Sequence, residues 1–218
     1  MDVMIERSKQ APLTVHFRSW KEDDDAKLLE IVSQTPRLQS LELSRDADYK
    51  SIPVRDVVSR FIGSPELLEK LVITGHKRRE ESVYGRAPDD NIDEVTKELA
   101  HFTFPRLRQL EVTRCVIPWA VIPNAPRLTI LKLHTLPRTE SVTAQSFFEA
   151  LRRMPFLRSI DLVGTLPTDD QVGGVSPIAL TALQTLNIKG TFAQLHSFLR
   201  RTQIPVEACP HLGSLSIL

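Results

Sequence analysis

The sequence predicts an α/β fold in which strand–helix units repeat along one chain and stack side by side. Two observations lead to this prediction. A short apolar pattern, Leu-x-x-Leu-x-Leu, recurs at intervals of about 29 residues. Between its copies lie stretches with apolar residues at helical spacing. Strands that alternate with helices at such a period favour a parallel sheet with helices packed against one face.

The apolar pattern is the signal for the strands. Most copies begin two residues after a proline, whereas the copy after Pro65 begins one residue later and another copy has lost the proline. The middle leucine-type positions are residues 41, 71, 110, 131, 160, 186 and 215, which are 30, 39, 21, 29, 26 and 29 residues apart. This recurrence predicts a single domain over residues 1–218, with about seven degenerate repeats behind an N-terminal strand.

Side chains alternate between two faces within each predicted strand. Leu41 and Leu43 therefore share a buried face, while Ser40, Glu42 and Ser44 point outward. One strand cannot cover its apolar face alone, so parallel neighbours about 4.8 Å apart must do so. The sequence thus predicts a stack with a parallel sheet on one side and helices on the other.

The segments between the strands predict the helices and one long loop. Apolar residues at helical spacing occur in residues 25–34, 53–62, 91–102, 143–154 and 191–202. Pro53 suits the first turn of a helix, and Asn91 is a residue type that favours the N-cap. The long interval of 39 residues between two middle positions predicts a loop insertion at about residues 76–91.

The Leu-x-x-Leu-x-Leu pattern resembles the strand segment of leucine-rich repeats, a family whose units stack into a horseshoe-shaped solenoid. The resemblance implies that the parallel sheet lies on the concave side and the helices on the convex side. The resemblance implies an inward Asn or Cys after each strand, which bonds the backbone of the following loop. The residues at that position are Asp46, His76, Cys115, Leu136, Thr165 and Thr191. The asparagine ladder is absent, and the irregular repeats resemble the degenerate class found behind F-box domains.

Two segments resemble a narrower group, the basidiomycete-type F-box-like proteins. Residues 6–15 resemble the strand that follows the F-box, and residues 104–119 resemble a midchain repeat of that group. The resemblance implies an N-terminal F-box that docks on the adaptor of a cullin ubiquitin ligase, but Met1 lies only a few residues before the first strand. We therefore expect the chain to be a fragment that lacks the F-box and a C-terminal cap.

The resemblance implies a non-catalytic protein–protein interaction module, similar to the substrate-recognition part of an F-box ubiquitin-ligase adaptor. Its partner would be an unknown target protein, and it would meet the ligase adaptor only if an F-box lies upstream. The alternative is a free-standing leucine-rich-repeat scaffold or regulator without ubiquitin-ligase association. Two cysteines and no recognisable secretory or membrane segment predict a cytoplasmic or nuclear location.

The outward positions of the predicted sheet are the candidate binding site. The candidate protein-binding residues are Glu42, Lys70, Val72, Glu111, Lys132, His134, Asp161, Asn187 and Lys189. The predicted positions at the middle of each strand form a row across the sheet, which ends with Asn187 and then Ser216. Glu111, Lys132 and Asp161 fall side by side, where they form either cross-strand ion pairs or a groove that recognises a partner by its charge pattern.

No motif indicates catalysis, a metal site or a cofactor. The histidines form no His-Glu-x-x-His pattern and no pair at helical spacing, and Gly173-Gly174 lacks the Lys-Ser/Thr of a phosphate loop. Cys115 is expected to be a buried thiol about 19 Å from Cys209, too far for a disulfide. A net charge of +1 gives no basic excess, so neither a nucleic-acid nor a membrane partner is expected.

Overall fold

The structure, a computed structural model, describes residues 11–18, 25–44, 54–75, 99, 102–115, 119, 125–134, 143–167 and 176–214. The strands in these residues are Leu13–Arg18 (β1), Leu38–Ser44 (β2), Lys70–Thr74 (β3), Gln109–Thr113 (β4), Ile130–His134 (β5), Ser159–Val163 (β6), Ile178–Ala179 (β7), Thr185–Gly190 (β8), Thr202–Gln203 (β9) and Cys209–Ser214 (β10). The helices are Asp25–Val32 (α1), Val54–Val58 (α2), Ala144–Arg152 (α3) and Phe192–Arg201 (α4). None of these described helices has the length and apolar composition that a membrane span requires.

Within the described residues, one parallel sheet contains eight strands in the order β1-β2-β3-β4-β5-β6-β8-β10. The short strands β7 and β9 pair with each other outside this sheet. The predicted middle positions of the repeats stand opposite one another in the register, in the order Leu41, Leu71, Leu110, Leu131, Ile160 and Leu186. The predicted α/β class and the parallel sheet are therefore confirmed.

Alternate side chains of the sheet are buried in one continuous apolar core. Leu41 and Leu43 are fully buried, and the equivalent positions of the next strands join the same cluster. The helices contribute to this core from the same side, with Leu28 of α1 and Phe147 of α3 both fully buried. The Phe147 ring lies 4.5 Å from that of Trp119, measured between centroids. Most of the side chains on the opposite face of the sheet are polar.

The described helices lie within the predicted ones. Thr191 begins α4 with a capping box, because its hydroxyl accepts from the backbone N–H of Gln194, whose side chain accepts in return from the Thr191 N–H. Helix α2 ends before the predicted boundary, since the chain turns there and reaches Gly63 at a positive φ of 75°. In the predicted helix 91–102, Leu99 is helical and Phe102 is not, and the rest lies outside the described residues. The predicted loop at 76–91 also lies outside them.

The last strand does not have the register that the leucine pattern predicts. The prediction places Leu215 opposite Leu186, whereas Pro210 stands there, because β10 begins at Cys209. The physical reason is the preceding turn, in which the Ala208 N–H donates to the Pro205 carbonyl and the chain joins the sheet immediately afterwards. Residues 215–218, including the predicted strand positions Ser216 and Ile217, lie outside the described residues.

Candidate functional site

The sheet directs its other side chains away from the core, and we call this set the polar face. Its central row is His16, Glu42, Val72, Glu111, Lys132, Asp161, Asn187 and His211. Ser40, Lys70, Gln109, Ile130, Ser159 and Thr185 flank this row toward the start of the strands. Ser44, Thr74, Thr113, His134, Val163 and Lys189 flank it toward their ends. All nine predicted candidate residues lie on this face.

Glu42 is the centre of the most tightly connected cluster on the polar face. Lys70 Nζ donates to Glu42 Oε1 at 2.5 Å, and His16 Nδ1 lies 2.7 Å from Glu42 Oε2. The pKa of the Glu42 carboxyl is lowered from 4.5 to about 2, mainly by the hydrogen bond from Lys70 and next by the hydrogen bond from His16. Both carboxylate oxygens are thus held by donors from the two neighbouring strands, and Glu42 is charged at neutral pH.

Glu111 is held more loosely. Gln109, on the same strand, donates from Nε2 to Glu111 Oε1 at 2.6 Å. Lys132 on the next strand lies farther away, with Nζ 3.9 Å from Glu111 Oε2. Such an ion pair is at the outer limit of direct contact and is partly exposed, so its own contribution to stability is small.

Asp161 forms the third cluster. Asn187 Nδ2 donates to Asp161 Oδ1 at 2.8 Å from one neighbouring strand. His134 Nε2 lies 2.8 Å from the same oxygen on the other side, a contact that is an ion pair when the imidazole is protonated. Of the cross-strand ion pairs that the sequence left open, only the loose pair of Lys132 with Glu111 occurs among the described residues. Asp161 contacts His134 and Asn187 instead of Lys132.

The remaining positions give the face a mixed surface. Hydroxyl pairs bridge neighbouring strands, with Thr113 Oγ1 3.1 Å from Thr74 Oγ1 and Thr185 Oγ1 2.8 Å from Ser159 Oγ. Ile130 is exposed on the same face. In the part of the chain that the structure describes, no group of three or more potential metal ligands occurs. The face combines fixed polar groups with isolated apolar points.

Two residues of the central row escaped the sequence prediction. His16 stands beside Glu42, and the alternation of apolar and polar residues in Leu13-Thr14-Val15 and onward could have placed it there. His211 stands beside Asn187, where the leucine pattern predicts Ser216. No signal in the repeat pattern points to His211, because the chain joins the sheet earlier than its leucines indicate.

The residues that follow the strands are structural. Cys115 is fully buried, as predicted, and a methyl group added at Gly75 would lie 2.6 Å from its Sγ and 2.4 Å from the Arg114 carbonyl oxygen. Thr165 is buried and Thr191 caps α4. Both Cys115 and Cys209 are thiols, separated by four strand steps of the sheet. Asp46, His76 and Leu136, the other predicted inward positions, lie outside the described residues.

Comparison with known proteins adds no family. No protein-family model, no curated protein and no solved structure matches the chain. The repeat pattern of the sequence and the geometry of the polar face are therefore the features that bear on function.

Proposed function

We propose that this chain is a leucine-rich-repeat solenoid whose polar face binds a protein partner without catalysing a reaction. The strand order supports the solenoid. It follows the chain from β1 onward without the reversal that characterises doubly wound sheets. The strands β2 to β6 and β8 each add one copy of the leucine pattern, in register with the copy before it. This is the arrangement expected where each repeat contacts only its neighbours.

The spacing of the two layers supports a horseshoe shape. Parallel strands lie about 4.8 Å apart, whereas packed helices need about 8–10 Å between their axes. A stack with strands on one side and helices on the other is therefore wider on the helical side and curves toward the sheet. On this proposal the polar face lines the concave surface.

The observation that carries the binding proposal is the set of three ordered carboxylate clusters on the polar face. Glu42, Glu111 and Asp161 are each held by side chains from the same or neighbouring strands. Side chains that are already fixed lose little conformational entropy when a partner docks. Charged groups arranged in this way favour selection of a partner by its charge pattern rather than by a large apolar contact.

The sequence resemblance supports a more specific role. We propose that the partner is a protein presented for ubiquitin transfer, as implied by the similarity to the recognition part of F-box proteins. The scaffold alternative uses the same polar face but requires no ligase. Co-purification of the cullin-ligase adaptor with the native protein supports the first role, and its absence when the target is recovered supports the scaffold.

The test is a charge reversal on the polar face. In the variant Glu111→Lys with Lys132→Glu the net charge is unchanged but the order of the charges on neighbouring strands is reversed. The matched control is Lys27→Glu with Glu30→Lys, two exposed residues of α1. A protein recovered by cross-linking to the wild type is purified, and its affinity for all three forms is measured by calorimetry.

The expected result is a loss of at least about tenfold in affinity for the polar-face variant and no loss for the control. Thermal unfolding of both variants verifies that they are folded. Equal affinity of the partner for the wild type and for the polar-face variant contradicts the proposal, because the partner then docks elsewhere.

A further inference from the structure

A second charged surface lies where three of the strands begin. Arg106, Arg108, Arg127 and Arg158 are all exposed there, and we call them the arginine ridge. The sheet register fixes their spacing, because the N–H of Thr129 donates to the Arg108 carbonyl and that of Arg158 to the Thr129 carbonyl. Arg106 is thus one strand step from Arg127, and Arg108 is two steps from Arg158, or about 5 and 10 Å between backbones.

The arginine ridge differs from the polar face in the state of its charges. Among the described residues, no ion pair involves any of the four arginines, whereas Glu42 and Glu111 of the polar face each have a lysine neighbour and Asp161 contacts a histidine. Glu66 and Glu69, just before β3, are the acids that border the ridge along the sheet. Four like charges within about one screening length act together as a positive potential.

An exposed aromatic residue continues the row. Phe156 follows Pro155 and precedes Leu157, in the place that Arg127 occupies between Pro126 and Leu128. The residue is 57% exposed, although most large apolar residues of the described strands and turns are buried. Arginine and aromatic residues are the types most often responsible for binding energy in protein interfaces. Phe156 therefore gives the ridge an apolar contact point at one end.

We propose that the arginine ridge and Phe156 bind an acidic, extended segment of a partner protein that carries an apolar side chain beside its carboxylates. In an extended peptide, carboxylates two residues apart are separated by about 7 Å, which lies between the two spacings of the arginines. A guanidinium group binds a carboxylate with two parallel hydrogen bonds, so each arginine can hold one acidic residue. The polar face plays no part in this inference, which stands independently of it.

A peptide fits the arginine ridge better than a nucleic acid does. Nucleic-acid sites neutralise a run of phosphates and give the domain a basic excess. This chain has a net charge of +1, and the ridge extends over only three strands. The exposed Phe156, at one end of the ridge, matches an apolar side chain next to a row of acidic residues, as a peptide can supply.

The experiment measures the fluorescence anisotropy of a labelled peptide, Ser-Glu-Ser-Glu-Ser-Glu-Ser-Glu-Ser-Leu-Ser, added to the full chain. In the extended form its Glu and Leu side chains share one face, with Leu at one end. The ridge variant is Arg108→Glu with Arg158→Glu. The control is Lys27→Glu with Arg60→Glu, which makes the same change in net charge at exposed positions near α1 and α2. We expect the ridge variant to lose at least about tenfold in affinity and the control less than about threefold. The affinity of the wild type should also fall as salt is raised.

Two further variants separate the contribution of Phe156 and that of the polar face from the contribution of the arginines. Phe156→Ala should weaken binding of this peptide but leave unchanged the affinity for a version in which Leu is replaced by Ser. The polar-face variant Glu111→Lys with Lys132→Glu should bind the peptide as the wild type does, which separates this inference from the proposed function. Circular dichroism and thermal unfolding verify that each variant is folded.

Three outcomes would overturn the inference. The first is equal affinity of the wild type for the peptide in which every Glu is replaced by Gln. The second is an equal loss of affinity in the ridge variant and in the control, which would reflect net charge alone. The third is tighter binding of a single-stranded oligonucleotide that is lost in the ridge variant, which would make a nucleic acid the occupant.

Discussion

Replacement of Glu42 by Gln tests the charge clusters of the polar face through their pH dependence. Hydrogen bonds from Lys70 and His16 lower the pKa of the Glu42 carboxyl from 4.5 to about 2. A carboxyl whose pKa is lowered by folding stabilises the folded state above its unfolded pKa, and this contribution is lost as the pH falls through the folded pKa. The contribution of Glu42 should therefore be complete above pH 4.5 and disappear between pH 4.5 and about 2.

The structure limits the size of this effect. A fall of the pKa from 4.5 to about 2 corresponds to about 3.5 kcal/mol, at about 1.4 kcal/mol per unit. Glu42 is largely covered, but the side chains of Lys70 and His16 are 36% and 47% exposed, so solvent weakens both contacts. Exposed ion pairs contribute about 1 kcal/mol or less. We therefore expect Glu42→Gln to lower the free energy of unfolding by about 1 kcal/mol at neutral pH.

Urea unfolding followed by circular dichroism measures the difference between the wild type and Glu42→Gln at a series of pH values. The difference should shrink steadily below pH 4.5 and vanish near pH 2. Glu66→Gln, at an exposed turn before β3, is the control and should change the free energy of unfolding by less than about 0.5 kcal/mol at neutral pH. A difference that stays constant from neutral pH to pH 3 would refute the reasoning, as would a variant as stable as the wild type at neutral pH.

Three further predictions concern the core, a close contact and the register of the last strand. Phe147→Ala should lower the free energy of unfolding by about 3–5 kcal/mol in urea titrations, because the ring is fully buried among other aromatic rings. Gly75→Ala should cost about 1–3 kcal/mol, measured by thermal unfolding, because the new methyl group would lie 2.4 Å from a backbone oxygen. With the native cysteines replaced by Ser, Asn187→Cys with His211→Cys should form a disulfide on mild oxidation, as detected by mass spectrometry. Asn187→Cys with Ser216→Cys should form no disulfide under the same conditions. A disulfide in this second variant and none in the first would support the register that the leucine pattern predicts.

The strands could be predicted because one residue type marks their buried positions. Leu41, Leu110 and Leu131 belong to the same pattern, and their alignment in the sheet follows from burying that pattern on one face. β10 lacks this signal, since Pro210 occupies the place of the middle leucine. There a backbone turn sets the register, and a pattern of side chains cannot reveal it.

The members of the polar face could be predicted from alternation, but their partners could not. Lys70 lies directly opposite Ser40 and Gln109 in the register, which makes Glu42 and Glu111 its diagonal neighbours on either side. The sequence gives no reason to prefer one carboxylate over the other. In the structure Lys70 bonds Glu42, and side-chain conformation rather than residue spacing decides this choice.

The two charged surfaces differ in what a partner can gain from them. On the polar face each carboxylate already accepts from a donor or contacts one. A partner must therefore replace these contacts and remove water from the charges, so the polar face contributes to specificity for a charge pattern more than to affinity. On the arginine ridge a partner's carboxylates meet cations that form no ion pair among the described residues, so attraction acts before contact and raises the rate of association. If both proposals hold, a single partner that spans the two surfaces should associate more slowly with the variant Arg108→Glu with Arg158→Glu than with the wild type. The association rate should also depend less on salt in that variant. The partner should instead dissociate faster from Glu111→Lys with Lys132→Glu, and stopped-flow kinetics can separate the two effects.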